Sequence, residues 1–100
     1  PEFMDNLQDL RLMVGFPLPI NSGFRCPDYN AQVSSTGRDG PHTTGRAVDI
    51  GIAGEQAWAV LQRALDFDGI GVAQKGGWPT RFIHLDMVDD PDRRPTVWSY

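Results

Sequence analysis

The seven residues RFIHLDM, Arg81 to Met87, leave this chain fewer folding options than any other stretch. Side chains alternate across a β-strand, so residues i and i+2 share a face. Ile83, Leu85 and Met87 then point one way, and Phe82, His84 and Asp86 the other. The stretch Arg46 to Ile52 repeats the pattern, with Val48, Ile50 and Ile52 opposed to Ala47, Asp49 and Gly51. Two such strands fit a sheet whose apolar face needs a cover and whose other face carries an imidazole and two carboxylates. Asp49 can therefore occupy a strand without entering the apolar core, in a cleft shared with His84.

The cover is readable as helices. Leu7, Leu10, Met13 and Val14 fall on one side of a helix over Met4 to Val14, with Asp5 suited to a cap. A second helix is expected from Gly54 to about Phe67, with Ala57, Val60, Leu61, Ala64 and Leu65 on its apolar side. Pro17 and Pro19 demote Ile20 to Arg25 to an edge or irregular strand. Cys26 to Val33 reads as a short helix opening at Pro27, and Ser34 to Thr44 as a polar loop. Gly69 to Ala73 and the terminal PTVWSY read as further strands, with Gln74 to Thr80 as a loop between. The expected fold class is α+β: a small, mainly antiparallel sheet with helices packed on one face.

One hundred residues suffice for one compact domain, and 40% apolar residues with three tryptophans and five phenylalanines indicate a folded one. Pro1 to Phe3 resemble the leftover of a cloning site, so the domain is expected over residues 4–100. A net charge of −4, with no basic cluster longer than Arg93-Arg94, argues against nucleic acid as a partner and against a basic membrane-surface helix. No apolar run reaches the roughly 20 residues of a membrane span, and no signal peptide is visible. The single cysteine, Cys26, cannot form an internal disulfide, and a lone thiol fits synthesis in a reducing compartment.

His42 precedes the first of the two strands in a loop that Gly45 allows to fold back closely. Two imidazoles and a carboxylate, His42, His84 and Asp49, match a catalytic zinc site with three protein ligands and a fourth position for water. The same set would accept other divalent ions. Ordinary alternatives stand beside this reading. A histidine is often a hydrogen-bonded surface residue, and Asp49 could cap a turn or pair with Arg46.

Four segments together resemble the zinc D-Ala-D-Ala carboxypeptidases: SGFRCPDYN from Ser22, HTTGRAVDI from His42, FIHLDM from Phe82, and the terminal VWSY. Relatives include phage endolysins and vancomycin-resistance dipeptidases, and the hedgehog signalling domain shares the fold. The resemblance implies a hedgehog/DD-peptidase-like domain with a zinc cleft on the sheet face away from the helices. It implies one zinc ion held by His42, Asp49 and His84, and a peptidoglycan stem peptide as substrate of a monomeric D,D-carboxypeptidase or endolysin-type endopeptidase. Arg25 falls on the family's S-G-(Y/F)-R arginine, where its fork would hold a substrate carboxylate or a polarised carbonyl oxygen. A surface ion pair is the plainer role for it.

Two departures from the pattern matter. Relatives often carry Glu or Asp three residues before the last zinc histidine as general base; here Arg81 stands there, which cannot accept a proton. Asp86 is the substitute candidate, with orientation of a ligand, or pairing with Arg93 or Arg94, as its alternative role. A serine common two residues before the first histidine is replaced by Gly40. Tyr29, Trp78 and Phe82 are candidate cleft walls, and ordinary packing would account for each as well. The resulting expectation is metal-assisted peptide hydrolysis at the cell wall after synthesis in a bacterial or phage-host cytoplasm. Rival readings are a zinc-containing binding module without catalysis and a structural component of a phage or prophage particle.

Overall fold

The structure, a computed structural model, describes residues 2–22 and 46–100. Helix α1 spans Glu2–Val14 and leads to strand β1, Ile20–Ser22. Strand β2 follows at Ala47–Ile50, helix α2 at Gly54–Gln62 and strand β3 at Gly69–Ala73. A 3-10 turn at Trp78–Thr80 precedes β4 at Phe82–Asp86, and β5 closes the order at Thr96–Ser99. The segment Cys26 to Val33 and the loop Ser34 to Thr44 lie outside the described residues.

The five strands form one sheet in the order β1-β2-β4-β3-β5. Three pairings are antiparallel, and β3 with β5 is parallel, so the sheet is mixed. The parallel pair follows from the path of the chain. β4 returns beside β3, and residues 87–95 then carry the chain past the start of β3 to its far edge. There Thr96 N–H donates to the carbonyl of Asp68 at 2.8 Å, and β5 sets off in the direction of β3. β1 is an edge strand with an irregular register against β2, as its flanking prolines lead one to expect.

Both helices cover one face. Phe3 and Leu10 of α1 and Ala57 and Val60 of α2 pack with Val48, Ile50, Ile52, Ile83 and Leu85 from the sheet. The alternation read from the sequence thus sorts correctly for both central strands. Two details of the helices differ from expectation. α1 starts at Glu2, and Phe3 is buried, edge-on to Phe67 with ring centroids 5.9 Å apart. Phe3, left out of the expected domain, therefore lies in the core packing. α2 ends at Gln62 rather than near Phe67, because the N–H groups of Arg63 and Ala64 bond three residues back, to Val60 and Leu61. That tightening rotates the chain relative to an α-helix, keeping Ala64 inside while Leu65 turns out to 89% exposure. Among the described residues no helix is long and apolar enough to cross a membrane.

Truncating Phe3 to alanine should cost about 3 kcal/mol, the lower end for a buried phenylalanine, since a terminal helix can shift to fill part of the space. Urea denaturation of the variant against the parent chain measures it, and a loss under about 0.5 kcal/mol would place Phe3 outside the core.

Candidate active site

The face turned from the helices gathers the polar residues of the two central strands. β2 and β4 pair so that Asp49 stands directly opposite His84, and Ala47 opposite Asp86. His84 Nδ1 lies 2.9 Å from Asp49 Oδ1, and Nε2 lies 2.7 Å from Asp86 Oδ2. One imidazole is thus held at both nitrogens, across the strands by one carboxylate and along its own strand by the other. The side chains of His84 and Asp86 are 2% and 0% exposed, and that of Asp49 is 14% exposed. Away from the helices, then, the sheet is as dry around His84 as the apolar core, with Asp49 at its wetter margin.

Strand β3 makes this burial possible by being small on that face. Gly69 is paired with Asp86, Gly71 with His84 and Ala73 with Phe82. Side chains from the end of the chain lie across this low floor to reach β4. Arg94 donates from Nε to Asp86 Oδ1 at 2.9 Å and from Nη2 to Oδ2 at 2.8 Å, a two-pronged clamp on the carboxylate. Trp98 crosses Gly71 to place its ring 5.1 Å from that of His84, and Tyr100 lies 5.0 Å from Phe82. A Cβ on Gly71 would stand 2.7 Å from the Trp98 indole, and one on Gly69 would stand 2.6 Å from Arg94 Nε. Neither position admits a side chain without moving these groups. Of the two arginines open to Asp86 in the sequence, Arg94 takes it, while Arg93 makes an exposed ion pair with Asp90 at 3.4 Å.

A family model described as Peptidase M15 matches residues 1–86. This chain belongs to the peptidase M15 family. Searches of curated proteins and of solved structures return no match. The M15 peptidases are zinc-dependent metallopeptidases, so the chemistry expected here is attack on a peptide bond.

Of the residues expected to build an M15 site, Asp49, His84 and Asp86 come together. His42, Arg25, Tyr29 and Gly40 lie outside the described residues. Among the described residues no three His, Cys, Asp or Glu side chains form a group able to hold a metal ion. The Asp49–His84 pair nonetheless suits a zinc ion as a partial donor set. It offers one nitrogen and one oxygen donor 2.9 Å apart, near the roughly 3.3 Å separating two ligands of a tetrahedral ion at bonds of about 2.0–2.1 Å. Nδ1 faces the second donor while Nε2 is occupied by Asp86, the arrangement in which a carboxylate orients a ligating imidazole.

Trp78 sits on the 3-10 turn, 63% exposed, with the edge of its ring beside Gly54 and the Arg81 guanidinium 5.6 Å from its centre. Arg81, at the position where relatives carry an acid, also donates from Nε to the carbonyl of Gly76 at 3.1 Å. The residues alone leave Asp86 open between Arg93 and Arg94 and give no role to Trp98. The glycines of GIGVA were the available signal, since a strand bare on one face implies that something else lies across it.

The electrostatics follow from the contacts. Burial pushes the Asp86 carboxyl upward, but hydrogen bonds from His84 and Arg94, with their positive charges, outweigh it and hold the group at about 2. Burial likewise pushes His84 down, and its bonds to Asp49 and Asp86 more than reverse that, leaving the imidazole above its ordinary range. A carboxyl whose folded value is depressed stabilises the fold above its unfolded value, near 3.8, and loses that contribution as pH falls through about 2. At about 1.4 kcal/mol per unit the contribution is about 2 kcal/mol. In metal-free protein, the stability gap between the parent and Asp86→Asn should therefore narrow by about 2 kcal/mol between pH 5 and pH 2. Urea titrations across that range test it, and a constant gap would mean that Asp86 is not held as a carboxylate.

Proposed function

We propose that this chain is a zinc metallopeptidase cutting a peptide bond in peptidoglycan stem peptides, as a D,D-carboxypeptidase or an endolysin-type endopeptidase. His42, Asp49 and His84 would hold the ion, in a cleft on the sheet face away from the helices. The observation that carries the reading is the placement of Asp49 Oδ1 at 2.9 Å from His84 Nδ1, with Nε2 of the same ring engaged by Asp86. When bound, the metal supplies a Lewis acid and lowers the pKa of a coordinated water toward about 7.

The chain's own residues divide the remaining work. His84 presents Nδ1, and Asp86 keeps the ring in that orientation by accepting from Nε2–H. A general base needs a free lone pair and a pKa near the working pH. Asp86 has both oxygens engaged and a carboxyl at about 2, which supports orientation of His84 over proton transfer from water. Arg25 is assigned to the substrate's carboxylate or to the charge that develops on the carbonyl oxygen, on the strength of the family motif. Tyr29 and Trp78 are assigned to the substrate cleft on the same ground, and Trp78 is exposed enough to meet a ligand.

Arg81 favours a second reading, a zinc-bearing recognition module of the same fold, because a guanidinium stands where relatives place an acid. A component of a phage or prophage particle would use either version of the site. Incubating the zinc-loaded protein with muropeptides and assaying for new amines separates hydrolysis from recognition. His84→Ala should lower bound zinc from one ion per chain to none after dialysis, and chelator-sensitive release of amines should disappear with it. Full zinc content in that variant would remove His84 from the ligand set.

A further inference from the structure

We propose that Arg94 is a positioning residue for the metal site, acting through Asp86 on His84, with Trp98 completing the support. The proposal rests on the zinc reading above and extends it to residues beyond 1–86, the stretch matched by the family model.

Four side chains form a closed circuit. His84 Nε2 meets Asp86 Oδ2 at 2.7 Å, and both Asp86 oxygens accept from the Arg94 fork at 2.9 and 2.8 Å. The Arg94 guanidinium lies 5.2 Å from the centre of the Trp98 ring, and that ring lies 5.1 Å from the ring of His84. Each link limits the next. Without Arg94 the fully buried carboxylate would lose the two bonds that fix its plane, would be free to rotate, and would then no longer hold Nε2–H in one direction. With the fork in place, Asp86 Oδ2 has one orientation and the imidazole one way to sit. Nδ1 is thereby kept toward Asp49.

The requirement is for a guanidinium rather than for positive charge. A lysine could approach one oxygen, whereas two parallel N–H bonds fix the plane of the carboxylate. Strand β3 is shaped to this fork, since a Cβ at Gly69 would collide with Asp86 Oδ1 and stand 2.6 Å from Arg94 Nε. The space left by one glycine is filled by this ion pair.

Arg94→Lys keeps the charge and is the variant chosen to preserve folding, with its thermal midpoint as the check; Arg94→Ala is run beside it. Two quantities are read: zinc affinity by competition with a chromophoric chelator, and the imidazole 15N and Nε2–H resonances of His84 in metal-free, histidine-labelled protein. The expected result for Arg94→Lys is zinc binding weaker by roughly 10- to 100-fold, with the Nε2–H resonance of the parent lost or exchanging rapidly. Millimolar guanidinium should return affinity to Arg94→Ala, which a general loss of stability would not allow. If either parent-like zinc affinity or an unchanged His84 resonance is found in Arg94→Lys, the proposal is overturned. Failure of the parent protein itself to bind zinc would instead sink the metallopeptidase reading, and the resonances would still decide whether Arg94 fixes the ring.

Discussion

Asp49 faces His84 because β2 and β4 pair in one antiparallel register, and that register is enforced from the other side of the sheet. Val48, Ile50, Ile83 and Leu85 are buried against the helices, each contributing about 1.5–3 kcal/mol of apolar burial. A slip of one residue would turn the apolar set of β2 outward and drive Asp49 among the helices. The polar constellation is thus secured by apolar side chains that take no part in its chemistry.

A second consequence of the two-sided sheet is a dry polar layer. His84 and Asp86 are nearly as buried as the core, which is tolerable only with their hydrogen-bonding groups met. Among the described residues every buried side-chain nitrogen and oxygen has a partner. Asp86 has His84 along its own strand and Arg94 from the terminal segment as partners, and their hydrogen bonds and charge outweigh the penalty of burying the anion. The empty faces of Gly69 and Gly71 are what let the terminal segment approach closely enough to do this.

The same geometry connects fold to activity in a peptidase of the M15 family. The imidazole bonded through Nε2 to Asp86 and through Nδ1 to the more accessible Asp49 forms, with that carboxylate, two-thirds of the ligand set proposed for zinc. Asp86 supports that set from within the strand. Its depressed pKa suits a permanent anion that fixes His84 better than a base that must gain and release a proton at each turnover.

Much of this was legible in the residues. Alternation in Arg46 to Ile52 and Arg81 to Met87 separates the helix face from the polar face, because the strand period is set by the backbone alone. The resemblance carried by HTTGRAVDI and FIHLDM likewise points to Asp49, His84 and Asp86. Other features depended on contacts distant in sequence: the parallel placement of β5, the choice of Arg94 over Arg93, the tilted contact of Trp98 with His84 and the place of Phe3 in the core. Local pattern fixes which way a side chain points from its own strand. Which partner arrives on that face depends on the path of the connecting segments and on the room the neighbouring strand leaves, and here two glycines of β3 supplied the room.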